Sequence, residues 1–162
     1  MRLILVLEKT SNLFNKVSET ICGLFLVVVF FTLFFQVIAR SFLGFNFPWA
    51  EELSRYLMVW VAMLGGSILV KSKELISVDF FESKWTGKWN RYRKLLFTTI
   101  MLIILCIMIY EGFFQAIHGR KVFLASLKGS MFLPYMAVPV GFTIMLFHYL
   151  VEFSHNIARK NI

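Results

Sequence analysis

The chain alternates between long apolar stretches and short charged ones. A bilayer core about 30 Å thick is crossed by about 20 apolar residues in a helix. Backbone polar groups inside lipid must be satisfied within their own segment, so long uncharged stretches are predicted to be helices. Four such stretches lack Asp, Glu, Lys and Arg, namely Thr20–Ala39, Tyr56–Val70, Leu95–Tyr110 and Gly129–Val151.

These stretches predict an all-α membrane protein with four transmembrane helices in one domain, residues 1–162. The second stretch is short and extends back through Arg55, whose side chain can reach the membrane surface. The third stretch extends past Glu111, which would then lie near the far membrane surface. The predicted spans are 18–39, 53–71, 95–117 and 129–151, and the helical spacing of apolar residues predicts amphipathic surface segments at 2–16, 48–55 and 80–93.

Basic residues predict the orientation. Of the 17 Lys and Arg residues, 12 lie in the two ends of the chain and in the connection between spans two and three. Because basic residues concentrate on the cytoplasmic side, both termini are predicted to be cytoplasmic. The net charge of +8 is then explained by topology and by anionic lipid headgroups, without a nucleic-acid partner.

Composition supports the membrane prediction. The 162 residues are 59% hydrophobic and 16% charged, with a mean hydropathy of +0.74. This excludes a disordered chain and is unlike a water-soluble domain, in which about a quarter of residues are charged. The two cysteines, Cys22 and Cys106, lie at different depths in separate apolar stretches. They are expected to be small buried hydrophobes without a disulfide between them.

The predicted spans contain few groups capable of chemistry. Gln36 is expected to bond to a neighbouring helix, and His148 to lie near the membrane surface. No facing histidine pair, catalytic triad or metal-ligand pattern is evident, so we expect no enzyme activity, cofactor or metal in this chain. An accessory or scaffold subunit is the main expectation. Two alternatives stay open: a self-sufficient small homo-oligomeric transporter using a membrane-embedded Glu111, and a haem or quinone anchor of an oxidoreductase.

Residues 47–60 predict an interfacial helix that leads into the second span. Pro48 suits a helix start, and Glu51 and Glu52 complement the positive end of the helix dipole. Glu51 and Arg55 have the i,i+4 spacing of an ion pair. Arg40, at the end of the first span, is predicted to be within reach of either glutamate.

Two further patterns predict how the helices pack. Ala62 and Gly66 have the spacing of small residues that allows two membrane helices to approach closely. Pro134 and Pro139 are predicted to kink the outer half of the fourth span and to shape a packing surface.

Taken in order, these stretches resemble the small membrane subunit of tripartite ATP-independent periplasmic (TRAP) transporters, the DctQ-like family, over about residues 15–155. The chain has Leu75 where many family members have a histidine. The resemblance is carried by Gln36-Val37-Ile38-Ala39-Arg40, by the run from Trp49 to Tyr56 (WAEELSRY), by Ile76-Ser77-Val78-Asp79, and by Leu133-Pro134 through Gly141.

The resemblance implies a bacterial inner-membrane protein that pairs with a large multi-span subunit holding the sodium and substrate sites. A periplasmic substrate-binding protein would deliver an organic anion, such as a C4-dicarboxylate or sialic acid. The small subunit would enlarge the static scaffold and help to form the docking surface. The residues expected at a partner interface are Arg40, Trp49, Glu51, Glu52, Arg55, Arg120, Lys121 and Lys128.

Overall fold

A computed structural model describes residues 2–72 and 88–160, and in this part of the chain the fold is helical with no β-strand. Four helices are long and apolar enough to cross a membrane, which confirms the predicted class. They are α1 (Arg2–Ile38), which continues as one π-helical turn (Ala39–Leu43), α2 (Pro48–Ser72), α3 (Lys88–Gly119) and α4 (Phe132–Lys160).

The first helix is longer than the prediction. The proposed surface segment 2–16 and the first span form one continuous helix of 37 residues, about 55 Å long at 1.5 Å per residue. The first glycine of the chain is Gly23 and no proline precedes it, so no strong helix breaker separates the two parts. Segment 48–55 is likewise the beginning of α2, and segment 80–93 lies largely outside the described residues.

The helices form a row rather than a closed bundle. The middle pair is α2 and α4, while α1 packs mainly on α2 and α3 packs on α4. The two outer helices therefore bury only one face each, and their other faces are covered with large exposed apolar side chains. Apolar surface of this extent requires lipid or another membrane protein to cover it.

Small residues join α3 to α4. Ala116 is fully buried, and a Cβ atom on Gly112 would lie 3.0 Å from Cδ of Pro139. A Cβ atom on Gly119 would lie 2.6 Å from Cδ2 of Tyr135. The spacing of four and three residues places these small side chains along one helix face, where they allow close helix contact.

The contact between α2 and α4 also depends on glycine. Gly66 faces Met145, whose Cε would lie 2.5 Å from an added Cβ atom, and Gly141 faces Met63 at a similar distance of 2.6 Å. Ala62 is exposed and does not take part in this contact. The predicted Ala62 and Gly66 pair is thus divided, because Ala62 is exposed and Gly66 faces α4.

Both prolines of α4 are buried inside a helix that continues through them. Pro134 lies in the first turn, where a missing backbone N–H removes no helical hydrogen bond. Pro139 lies in the helix interior and packs on Gly112, and Thr143 Oγ1 donates to the Pro139 carbonyl at 2.6 Å. Pro139 therefore shapes the α3–α4 contact surface, and Pro134 is accommodated in the first turn of α4.

Candidate functional site

The connection between α3 and α4 is bound by the side chain of Glu52 from α2. This side chain is 7% exposed. Its Oε1 accepts the Ala125 N–H at 2.9 Å, and its Oε2 accepts the N–H groups of Ser126 at 2.7 Å and Leu127 at 3.1 Å. Tyr56 Oη donates to Oε1 at 2.9 Å. Three successive backbone amides thus form a concave anion site for one carboxylate.

The loop of residues 120–131 closes around this carboxylate. The Leu124 N–H donates to the Gly129 carbonyl at 2.9 Å, and the Met131 N–H donates to the Val122 carbonyl at 2.9 Å. Tyr56 Oη lies 3.4 Å from Sδ of Met131. The loop is therefore a folded turn attached to α2 rather than an extended connection.

Gln36 joins the end of α1 to the beginning of α2. Its side chain is 6% exposed, and its Nε2 donates to Glu51 Oε1 at 2.8 Å and lies 3.5 Å from Asn46 Oδ1. Within the described residues, Glu51 forms no ion pair with Arg55 or Arg40. The Glu51 carboxylate thus accepts a hydrogen bond from the side-chain amide of Gln36 on α1 and forms no ion pair with a neighbouring arginine of the described residues.

This end of the molecule carries exposed positive charge. Seven of the eight residues expected at a partner interface are exposed, and Glu52 is the exception. Arg120 lies over the Phe132 ring, 4.6 Å from its centroid. In the part of the chain that the structure describes, no ion pair neutralises the five cations of this end, which are Arg40, Arg55, Arg120, Lys121 and Lys128.

A second polar cluster lies at the opposite end of the bundle. Lys71 Nζ donates to Ser11 Oγ at 2.8 Å, and Ser11 Oγ lies 2.8 Å from His148 Nδ1. The Ser11 hydroxyl accepts from the ammonium group and keeps one O–H and one further lone pair, so the imidazole tautomer sets the direction of its hydrogen bond with Nδ1. Ser11 and His148 are buried, so the cluster fastens α1 to α2 and α4.

Three of these features were not predicted from the sequence. Ser11, Lys71 and His148 are distant in the sequence, and nothing in their local patterns indicates that they meet. The amides around Glu52 belong to the backbone and leave no signature in residue types. The small-residue spacing on α3 was visible in the sequence and could have been found by the same criterion that selected Ala62 and Gly66.

The fold and these contacts define a class: a multi-pass membrane protein whose main polar groups hold its own helices together. A comparison with known families then identifies the particular family. The sequence pattern described as "Tripartite ATP-independent periplasmic transporters, DctQ component" matches residues 29–159. The chain belongs to this family, whose members are membrane subunits of transporters and not enzymes.

Individual relatives carry related names. The sialic acid TRAP transporter permease protein SiaT of Haemophilus influenzae is 27% identical over 138 residues, which are 84% of this chain and 22% of SiaT. The sialic acid TRAP transporter small permease protein SiaQ of Vibrio cholerae is 24% identical over 144 residues, 89% of this chain and 83% of SiaQ. The C4-dicarboxylate TRAP transporter small permease protein DctQ of Rhodobacter capsulatus is 28% identical over 109 residues, 66% of this chain and 48% of that protein.

Proposed function

We propose that this chain is the small scaffold subunit of a TRAP-type secondary transporter. It pairs with a large membrane subunit that holds the sodium and substrate sites. It also supports docking of a periplasmic substrate-binding protein for sodium-driven uptake of an organic anion. The observation that carries the proposal is the match of residues 29–159 to the DctQ family.

The relatives support both the partner and the substrate class. The segment similar to this chain occupies 22% of SiaT, so in that relative it is joined to a much longer polypeptide. Two other relatives are named small permease proteins, which supports a larger partner subunit. The names of the relatives refer to sialic acid and C4-dicarboxylates, which are both organic anions.

The internal contacts support a scaffold role. Gln36 and His148, the polar residues that stand out in the predicted spans, bond to groups of this chain. Their hydrogen bonds join helices together, which favours packing over the binding of a carried solute. Substrate handling would then fall to the partner subunit.

The outer helices supply surface for the large subunit. On α1, Phe30 and Phe34 are 61% and 55% exposed, and on α3, Ile103 and Ile107 are 53% and 54% exposed. Membrane helices associate through close packing of such faces. With both termini in the cytoplasm, as the distribution of basic residues predicts, the end of the molecule that carries Arg40, Arg55, Arg120, Lys121 and Lys128 faces the periplasm and the binding protein.

Co-purification tests the pairing. The tagged chain would be expressed with the untagged large subunit in the source membrane, extracted in mild detergent and separated by size. We expect the large subunit to remain with the tagged chain through size-exclusion chromatography. A tagged membrane protein of similar size from outside the family serves as the control. Elution of this chain alone, under conditions that preserve its helical content, would contradict the proposal.

A further inference from the structure

We propose that Glu52 is a positioning residue that holds the loop of residues 120–131 as a basic docking surface for an acidic face of the binding protein. This inference rests on the proposed function, since the partner is the protein that delivers substrate. The inference adds three points to that function: the loop as the docking surface, an acidic face on the binding protein, and Glu52 as the side chain that fixes the loop conformation.

The conformation of the loop depends on a side chain from another helix. A nest of backbone amides usually binds an anion supplied from outside. Here the anion is Glu52 of α2, and it occupies the N–H groups of residues 125–127. Without the carboxylate, three adjacent donors lose their common acceptor. The two other backbone hydrogen bonds described above join residue 124 to 129 and residue 131 to 122, and neither involves residues 125–127.

The loop held in this way presents exposed cations and one aromatic ring to the solvent. Arg120, Lys121 and Lys128 are all exposed, and Phe123 between them is 78% exposed. Exposed aromatic and arginine side chains held on a fixed backbone are typical of the residues that dominate protein interfaces. The two lysines add positive charge that can orient an approaching anionic surface. Since the carboxylate of Glu52 is buried in the nest, the surface offers cations and one aromatic ring, which fits an acidic partner face.

A loop with a fixed conformation favours a protein partner over a lipid surface. Anionic headgroups are mobile and bind cations in almost any arrangement, so a flexible basic loop would serve them equally well. A dedicated carboxylate that fixes three consecutive amides is useful when the positions of the cations must match a second rigid surface. Electrostatic complementarity of that kind orients the encounter between two proteins.

Two carboxamide variants test the positioning role. Glu52→Gln keeps the shape of the side chain but turns an amide NH2 towards backbone N–H groups. Hydrogen exchange of residues 125–127, measured on the whole chain in nanodiscs, should accelerate by at least about tenfold. Glu51→Gln, the neighbouring substitution whose carboxylate bonds to Gln36, should leave the loop exchange unchanged. Unchanged exchange in Glu52→Gln would overturn the proposal.

Uptake by the reconstituted complex tests docking. The rate would be measured against the concentration of the binding protein, with the large subunit and the sodium gradient held constant. We expect Glu52→Gln to raise the half-saturating concentration about fivefold, with the maximal rate unchanged. Lys128→Glu should raise it roughly two- to fivefold without loosening the loop, as expected for one exposed charge pair. Glu8→Gln, at the opposite end, is the control.

The outcomes are distinct. A loosened loop with an unchanged half-saturating concentration would show that the loop does not dock the binding protein, although the proposed function would stand. Effects that vanish in vesicles of neutral phosphatidylcholine would assign the loop to anionic lipid and overturn the inference. Failure of the unmodified chain to support uptake, with the large subunit and binding protein both present, would overturn the proposed function and this inference together.

Discussion

Replacing Gly141 with alanine adds one methyl group to the contact between the two central helices. The new Cβ atom would lie 2.6 Å from Met63 Cβ and 3.2 Å from the Met63 carbonyl oxygen. These atoms belong to the backbone of α2 or are bonded directly to it, so no side-chain rotation can relieve the overlap. The α2 and α4 helices would have to separate locally.

The magnitude follows from two opposing terms. Overpacking a close contact costs about 1–3 kcal/mol. Alanine in place of glycine in a helix returns up to about 1 kcal/mol. With the full return, we expect Gly141→Ala to lower the free energy of unfolding by about 0–2 kcal/mol relative to the unmodified chain, and by about 1–3 kcal/mol relative to a helical Gly→Ala change without the overlap. Gly65→Ala is the matched control, because an added Cβ there has no atom within 4 Å. It should show no loss, and a gain of up to about 1 kcal/mol.

The assay is reversible unfolding in mixed micelles, followed by the fluorescence of the 4 tryptophans and by helical circular dichroism. Both variants and the unmodified chain would be measured in the same detergent mixture. If Gly141→Ala proves as stable as Gly65→Ala, the close approach of α2 and α4 at Met63 is not present in the folded protein.

Two further predictions use the same purified chain. Ser11→Ala leaves the buried His148 Nδ1 without its hydrogen-bond partner and should cost about 1–3 kcal/mol of stability. The exposed neighbour Asn12→Ala should change stability by less than about 0.5 kcal/mol, and equal effects of the two variants would argue against the polar cluster. Cys22 and Cys106 are free thiols, so a thiol titration of the unfolded chain without reductant should find both reactive, whereas loss of both signals without dimer formation would indicate an internal disulfide.

The sequence was sufficient for the helices because one physical requirement dominates their formation. Backbone groups in lipid must bond within the segment, so uncharged stretches such as Leu95–Tyr110 could only be helical. The beginning of α2 at Pro48 was also predicted, and the less accurate part was the division of α1 into a surface segment and a span. The amphipathic periodicity of residues 2–16 distinguishes them from the uniformly apolar first span. Periodicity does not show whether a helix is interrupted between two such segments, and Arg2–Ile38 forms a single helix.

The candidate site was predicted as a set of charges and not as an arrangement. Position along the chain placed Arg40, Arg120 and Lys128 at the same predicted side of the membrane. It could not show that Glu52 is withdrawn from that surface into backbone amides of a distant loop. Such a contact depends on the path of residues 120–131 around α2, which side-chain periodicity does not encode.

The most direct test of the central claim, that this chain supports transport without carrying the solute itself, is uptake by proteoliposomes under a sodium gradient with one component omitted at a time. The claim predicts sodium-driven uptake of an organic anion only when the large subunit, this chain and the binding protein are all present. Uptake by vesicles that contain this chain as their sole membrane protein, or full uptake without it, would contradict the claim.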